Sequence, residues 1–261
     1  MMAESVPQKT DFERAEKYHA CNNTCKKIIT VISIGAAVYG FANIQNAIVD
    51  KCMAMGFILI SFLSVYYSFR FKSTFRKAEN TRRDGFLDNT FNTRLADISS
   101  IGYYDSEEIE FGLKKLMSNL HESSFLTYKI TEKMFINTEK TLLLWICLIG
   151  ILILANTFGT QFAAAVIDVF LSIEILDEYF ELKRLHTETD SIQQECKIVA
   201  ENASSTDWQE THELLSEILR VYLHYETALS YASIMLDTNI YKAINLTATQ
   251  EWEGIRNRYY Q

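Results

Sequence analysis

Residues 141–167 read TLLLWICLIGILILANTFGTQFAAAVI and contain no charged side chain. The leading part, residues 142–154, also lacks the polar stripe that a helix of a water-soluble bundle presents to solvent. About 20 residues of helix cross a hydrocarbon core of roughly 30 Å, so this run of 27 residues is long for one crossing. Asparagine and glycine suit a helix end, and Asn156 and Gly159 lie within the run. We therefore divide it into two predicted spans, near residues 141–158 and 161–180.

Two further uncharged runs occupy residues 28–49 and 52–69, with Asp50 and Lys51 between them. Each is long enough for about one crossing, so together they form a first predicted hairpin. Proline occurs once, at Pro7, and the alternation typical of strands is scarce, so helices are expected elsewhere as well. The predicted fold class is all-α: an integral membrane protein with four transmembrane helices in two hairpins and a helical cytoplasmic region.

The predicted organisation alternates cytoplasmic segments with membrane hairpins. Charged residues that flank each uncharged run set the boundaries. The parts are a cytoplasmic N-terminal segment 1–27, a first hairpin 28–70, a cytoplasmic central region 71–140, a second hairpin 141–180 and a cytoplasmic C-terminal helical region 181–261.

Lysine and arginine indicate the orientation of the spans. Lys26 and Lys27 precede the first run, residues 70–94 carry seven basic against three acidic side chains, and Lys183 and Arg184 follow the last run. Because such residues are enriched on the cytoplasmic side, both termini are predicted to be cytoplasmic. The basic segment suits an anionic inner leaflet. Residues 174–261 carry a net charge of −9, so direct binding of a nucleic-acid polymer is not expected.

Motifs for catalysis are scarce. There is no H-E-x-x-H motif, phosphate-binding loop or G-x-S-x-G elbow, and His212-Glu213 lacks the second histidine of a zinc site. The five cysteines are odd in number, and some lie in apolar runs, so reduced thiols are expected rather than disulfides. We therefore predict neither an enzyme nor a bound metal or cofactor.

Polar side chains inside the predicted spans are candidates for a transport path. The fourth span carries Asp168 and Glu174, and a carboxylate in hydrocarbon costs about 2.5–3.5 kcal/mol. Asn43, Asn46 and Asn156 add polar groups in the other spans. These five residues are predicted to line a pore. Alternatively, Asp168 is protonated or hydrogen-bonded between helices, and Glu174 lies near the inner interface.

The central cytoplasmic region mixes helical and turn signals. The second span is expected to continue as a helix to residue 80, followed by a loop at 81–93 and a turn at 102–105. Between residues 109 and 135 apolar side chains recur every three or four positions. This spacing predicts one amphipathic helix, or two, leading into the third span.

The C-terminal region is predicted to be helical with two interruptions. A helix over 181–202 should end at a break in which Thr206 or Asp207 caps the next helix. Residues 214–229 form a wide apolar face that needs a partner, either the central region or another subunit. A second break is expected at 237–239, before a short final helix.

Three short motifs carry a resemblance to a known family. They are Asp88-Asn89-x-Phe91-x-Thr93, Gly102-Tyr103-Tyr104-Asp105 and Ser123-Ser124-Phe125-x-Thr127-Tyr128. With two membrane hairpins flanking the central segment, the chain resembles the SMODS-associating four-transmembrane effector family of bacteria. The likeness covers most of the chain in layout and only these stretches in detail. Asn92 stands where glycine is expected in that family, and asparagine also accepts positive φ.

The resemblance implies a role in bacterial anti-phage defence. A nucleotidyltransferase encoded nearby would make a cyclic nucleotide on infection, and the effector would then oligomerise and permeabilise the inner membrane. The implied ligand-binding residues are Arg82 and Arg83 for phosphates, Tyr103 or Tyr104 for base stacking, and Asp88 and Asn89. The arginines could instead anchor the leaflet, Asp88 and Asn89 could cap a helix or turn, and another protein could sense the ligand.

Two other functions remain open from the sequence. In the second interpretation the spans anchor a scaffold or sensor, whose cytoplasmic helices bind a protein partner. The third is an enzyme acting on lipid at the inner leaflet, which the absence of a nucleophile–base pair disfavours.

Overall fold

The structure is a computed structural model that describes residues 8–41, 46–96, 104, 106, 108–154 and 175–261. All regular secondary structure in these ranges is helical, so the all-α prediction is confirmed. The helices are α1 Lys9–Phe41, α2 Ala47–Phe91, α3 Leu113–Leu154, α4 Ile175–Ser205, α5 His212–Ala232 and α6 Thr238–Tyr259.

The chain divides into two compact units. The first, which we call the bundle, combines Arg76–Ile136 and Glu181–Gln261 with the described residues up to Thr10. The second, which we call the apolar unit, combines the described residues of Asp11–Phe75 and Asn137–Phe180. Both α2 and α3 are single helices with residues in each unit.

The bundle has an apolar core to which every helix from α2 to α6 contributes. On α5 the buried residues Leu214, Ile218, Val221 and Tyr225 recur at spacings of four, three and four, which places them on one face of the helix. Other core side chains are Phe86, Leu116, Met117, Leu120, Ile192, Val199 and Trp252. The predicted apolar face of residues 214–229 is therefore covered in part by the bundle itself.

The apolar unit contains an antiparallel contact between α1 and α2. Early residues of α1 meet late residues of α2: the rings of Phe12 and Phe75 lie 5.9 Å apart. Further along, the Ser64 hydroxyl donates to the Asn22 amide oxygen at 2.7 Å. Ile32 then faces Gly56, where a methyl group added at Cα would be in ordinary van der Waals contact with the Ile32 side chain.

One helix of the described part of the chain, α2, is long and apolar enough to cross a membrane. No residue in its apolar stretch is buried, and Met55, Phe62 and Phe69 are each more than two-thirds exposed. An apolar core helix of a water-soluble protein would be covered instead. This exposure suits a helix in contact with lipid.

The first two helices depart from the predicted boundaries. The uncharged run 28–49 is not one helix, because α1 ends at Phe41 and Ala47–Val49 belong to α2. Asn46 explains the start of α2: its side-chain oxygen accepts from the Ile48 and Val49 amides at 3.0 and 3.4 Å. The charged pair Asp50-Lys51 thus lies within α2 and does not separate two helices.

The predicted loop at 81–93 is also wrong over most of its length, since α2 continues to Phe91. Phe86 and Thr90 are buried, and their burial outweighs the weak helix propensity of Gly85 and Asn89. The helix ends at Phe91 with a left-handed cap, because Asn92, the next residue, adopts a φ of 53°.

In the C-terminal region the predicted breaks are found, with one change of cap. The break after α4 is longer than expected, so neither Thr206 nor Asp207 caps α5. That role falls to Thr211, whose hydroxyl accepts from the Leu214 amide at 3.1 Å. Asp237 caps α6 by accepting from the Asn239 and Ile240 amides.

Candidate functional site

Arg82 and Arg83, near the C-terminal end of α2, meet Glu226 on α5 inside the bundle. Two Arg82 contacts to the Glu226 carboxylate measure 2.8 and 2.7 Å, and Arg83 Nε lies 2.6 Å from the same carboxylate. Arg82 also donates to Glu79 at 3.0 Å, and Arg83 to the Ser230 hydroxyl. We call these two arginines and two glutamates the arginine clamp.

Electrostatics hold the clamp in its charged form. Burial disfavours the charge on Arg82, but Glu79 and Glu226 outweigh it and hold the pKa of Arg82 well above its usual value. The side chains of Arg82 and Glu226 are only 11% and 10% exposed. Removing one partner of such a buried pair leaves an uncompensated charge, so the clamp fixes α2 against α5.

Arg83 is the more accessible of the two cations. Its side chain is 32% exposed, and its contacts are Glu226 and Ser230. A guanidinium in this position has the fork geometry that pairs with carboxylate or phosphate. An anion that reached Arg83 would therefore compete with Glu226.

Asp88 stabilises the turn that follows α2. Its carboxylate accepts from the Thr93 hydroxyl at 2.6 Å and from the Leu95 and Ala96 amides at 2.7 and 2.8 Å. Burial raises the pKa of this carboxyl, but these hydrogen bonds outweigh it and lower the pKa below its usual value. The spacing of Asp88 and Thr93 in the motif thus has a structural explanation as a turn cap.

Asn89 and Tyr104 also make contacts within the bundle. The Asn89 side-chain oxygen accepts from Asn119 at 2.8 Å, and Asn119 in turn accepts from the Ser106 hydroxyl. Tyr104 is buried, with its ring edge-on to Phe86 at 5.7 Å. These contacts join the motif at the end of α2 to the start of α3.

The predicted residues therefore fall into separate places. Arg82 and Arg83 converge on one carboxylate, whereas Asp88, Asn89 and Tyr104 serve the adjoining turn and core. Asn46, predicted to line a pore, caps the N-terminus of α2. The remaining predicted site residues lie outside the described residues: Tyr103, Asn43, Asn156, Asp168 and Glu174.

A cavity of about 480 Å³ opens elsewhere on the bundle. Its lining includes the cations Lys114 and Arg256 and the aromatic rings of Trp208 and Tyr260. Its other lining residues are Glu108, Ile109, Glu110, Phe111, Gly112, Leu113, Glu210 and Gln261. A flat ring would find stacking partners here, but three glutamates face the two cations, so the lining does not favour an anion over a neutral ligand.

Uncommon backbone geometry shapes this cavity. Trp208 has a positive φ of 54°, and its amide donates to the Ala203 carbonyl at 2.8 Å. Gly112 has a φ of 140°, and a Cβ there would lie 2.9 Å from the Glu210 carboxylate. Both positions cost conformational energy in most sequences and persist because the surrounding bundle imposes them.

Sequence reasoning did not find the cavity. Its residues come from the segment before α3, the α4–α5 connection and the end of α6, which are far apart in the chain. The only local signal was an aromatic residue beside a break, at Trp208, and another at the end of the final helix, Tyr260.

No group of three or more His, Cys, Asp or Glu side chains is placed to hold a metal ion in the described ranges. His224 contacts two glutamates. Its Nδ1 lies 3.1 Å from Glu195 and its Nε2 lies 2.8 Å from Glu188. The two carboxylates occupy opposite sides of the ring, so the three side chains do not converge on one point.

Comparison with known proteins gives no relative: no family model, no curated protein and no solved structure matches the chain.

Proposed function

We propose that this protein is a membrane effector of bacterial anti-phage defence, gated by a cyclic nucleotide or a partner protein, that oligomerises and permeabilises the inner membrane. The observation that supports this proposal best is the continuity of α2. One helix carries exposed apolar side chains at Met55, Phe62 and Phe69 and a fully buried core residue at Phe86. A change in the packing of the bundle therefore acts directly on a helix suited to lipid.

A second helix has the same property. The first turns of α3 carry Leu116, Met117 and Leu120 in the bundle core, and its last turns carry the uncharged residues 141–154. Leu143 and Leu144 there are more than half exposed. Two continuous helices give the bundle two connections to segments of membrane-compatible composition.

The arginine clamp and the cavity are two candidate binding sites for the activating ligand. A phosphate group would compete with Glu226 for Arg83, which would loosen α5 from α2. The base of a nucleotide in the cavity would stack on Trp208, and its phosphate would pair with Lys114 or Arg256 against the repulsion of the three lining glutamates. Either event would change the contacts of one of these helices. α2 carries the two arginines of the clamp, and α3 contributes Leu113 and Lys114 to the cavity wall.

The four-span topology belongs to the same proposal. Two hairpins, one in the first part of the chain and one near residues 141–180, with both termini in the cytoplasm, agree with the overall distribution of lysine and arginine. Asp168, with Glu174 and the asparagines Asn43 and Asn156, would provide polar groups for a conducting path.

Membrane potential in living cells tests the proposal. The protein is expressed alone and together with a panel of cyclic-nucleotide synthases, and depolarisation is followed with a voltage-sensitive dye. Depolarisation with one synthase and not with its inactive variant is the expected outcome. A chain that is present in the membrane and causes no depolarisation under any condition contradicts the proposal.

Asp168→Leu separates conduction from insertion. We expect this variant to insert and to express normally but to lose the depolarisation. Asn92→Asp, on a cytoplasmic turn, is a control that changes charge outside the spans. Persistent leakage in Asp168→Leu would remove this residue from the conducting path.

The scaffold interpretation is supported by a different observation. On α5, Leu215, Leu219 and Leu223 recur every four residues and stay exposed, on a side of the helix away from the core residues Leu214 and Ile218. If the spans only anchor the chain, this stripe would bind a protein. Substituting all three with serine would then abolish binding of the protein partner without affecting the membrane potential of uninfected cells.

A further inference from the structure

The contacts between α1 and α2 define which residues lie at the same height. Asn22 is level with Ser64, and the Tyr18 hydroxyl accepts from Arg70 at 3.1 Å. The sum of the paired residue numbers stays nearly constant along the two helices, as an antiparallel pair requires. Lys26 and Lys27 of α1 are thus level with about Ser61 and Ile60 of α2, respectively.

This register brings charged residues of the two helices too close for a membrane between them. On α2 the outer charges are Asp50 and Lys51, and the level of Lys27 is only some ten residues further along. Ten residues of helix rise about 15 Å, half of a hydrocarbon core of about 30 Å. The core cannot lie between Lys51 and Lys27.

The uncharged part of α2 settles where the core can lie. From Cys52 to Phe69 it extends for 18 residues, which rise about 27 Å and match the hydrocarbon thickness. The antiparallel partner over the inner half of this stretch is the α1 segment from His19 to Lys27. That segment is polar, so polar groups lie at the depth of the inner leaflet.

Some of these polar groups have partners between or along the helices. Asn22 accepts from Ser64, His19 is 3.0 Å from the Asn23 amide nitrogen, and the Thr24 hydroxyl donates to the Ala20 carbonyl at 2.9 Å. Such pairs are tolerated within membranes.

The outward side of the same segment is different. Lys17, Cys21, Thr24 and Lys27 recur every three or four residues and are exposed, so they form one stripe on α1. Lys27 is about eight residues, roughly 12 Å, above the level of Phe69, farther than its four-carbon stem reaches toward the interface. Lipid is therefore an unfavourable neighbour for this stripe.

We propose that the stripe Cys21–Thr24–Lys27 lines a water-filled inlet on the cytoplasmic side, at the depth of the inner leaflet, that admits water and small hydrated ions. The inference rests on the proposed membrane function and names the part of the chain that forms the inner mouth of its conducting path. On α2 the exposed side chains of Phe62 and Val65 are apolar at the same height, so they face lipid.

Thiol labelling distinguishes the two surfaces. In inside-out membrane vesicles, a charged, membrane-impermeant maleimide is applied to the full chain, and peptide mapping reports each cysteine separately. Native Cys21 and the variant Lys27→Cys test the stripe, and Val65→Cys, level with Cys21, is the matched control. Because the reactive thiolate forms in water and not in hydrocarbon, we expect Cys21 and Lys27→Cys to react at least about tenfold faster than Val65→Cys.

Two results would overturn the inlet while leaving the membrane function in place. If Cys21 and Lys27→Cys are as unreactive as Val65→Cys, the stripe is covered by lipid or protein. If all three react equally fast, the hydrocarbon ends above this level. Carbonate washing of the vesicles identifies failure of the proposed function itself: a chain released by the wash is not integral, and both proposals then fall.

Discussion

The two ends of α2 place phenylalanine in opposite surroundings. Phe62 is 73% exposed in the apolar unit, whereas Phe86 is 1% exposed in the bundle core. The residues in between belong to one uninterrupted helix. Side-chain chemistry alone therefore does not decide burial here: Phe86 is covered by neighbouring helices, and Phe62 has the composition and exposure of a lipid-facing residue.

Polar side chains show the same contrast. In the bundle, charge is buried where it is paired, as in the arginine clamp, and Asn119 is buried within a hydrogen-bonded network. In the apolar unit, Asn22 and Ser64 pair between helices while Lys27 stays exposed. The bundle thus pairs the buried charges of the clamp within the chain, although a few of its buried polar atoms, such as Ser118 Oγ and Trp252 Nε1, have no hydrogen-bond partner. In the apolar unit, the exposed charge of Lys27 needs water or another partner outside the chain.

The largest expected difference comes from truncating each phenylalanine. Phe86→Ala removes a fully buried ring, so we expect the bundle to lose about 3–5 kcal/mol of unfolding free energy. Phe62→Ala removes a ring that contacts little of the chain and should change bundle stability by less than about 0.5 kcal/mol. Hydrogen exchange of bundle amides in the detergent-solubilised full chain measures both. Equal losses would mean that the two ends of α2 are not energetically distinct.

Breaking the arginine clamp should have the next largest effect. Glu226→Ala leaves Arg82 buried with Glu79 as its remaining carboxylate, and we expect a loss of about 3 kcal/mol. Glu217→Ala, at an exposed position on the same helix, is the control. The same exchange measurement applies. A loss no larger than that of the control would show that the clamp does not hold α5 to α2.

His121 gives the bundle a pH dependence that the apolar segment of α2 lacks. Burial, with a smaller effect of Lys197, lowers the pKa of His121 to about 3, and its Nδ1 lies 3.0 Å from the Tyr260 hydroxyl. The unfolded chain takes up this proton near pH 6.5 and the folded chain only near pH 3. Stability from this residue is therefore full above pH 6.5 and falls with acidification, by up to about 1.4 kcal/mol per pH unit.

The test of His121 is the thermal unfolding midpoint of the full chain in detergent at pH 7.5, 6 and 5. His121→Gln should flatten the dependence below pH 6.5, although it also lowers stability at pH 7.5. His212→Gln, at the exposed start of α5, should keep the slope. An unchanged slope in His121→Gln would assign the acid sensitivity to other groups.

Local chemistry predicted much of the fold. The apolar periodicity before the third span correctly indicated a helix, and Asp237 ends the break before α6 as its side chain suggests. The sequence also shows which segments have a membrane-compatible composition. These features depend on residues within a few positions of one another, which is why sequence alone reveals them.

Contacts between distant residues were not predictable. Arg82 and Glu226 are 144 positions apart, and no pattern beside either residue indicates the other. The end of α2 was misjudged for a related reason: Gly85 and Asn89 favour a turn locally, but the burial of Phe86 by other helices decides the outcome. The cavity was not predicted for the same reason, because three segments far apart in the chain form it.

The cap of α5 provides the smallest and most local test. Sequence reasoning placed the cap at Thr206 or Asp207, whereas the Thr211 hydroxyl accepts from the Leu214 amide. Thr206 instead donates to the Ala203 carbonyl at 3.0 Å, at the end of the preceding helix. Thr211→Ala should therefore cost about 1 kcal/mol, the usual value of an N-cap.

Thr206→Ala is the matched control, because it removes the same hydroxyl from the same connection without uncapping α5. Exchange of the first amides of α5 should accelerate in Thr211→Ala and stay near the unsubstituted rate in Thr206→Ala. Leu214 is part of the bundle core, so fraying at this end of α5 exposes apolar surface to solvent. Faster exchange in Thr206→Ala than in Thr211→Ala would instead place the start of α5 near Thr206 or Asp207, as the sequence suggested.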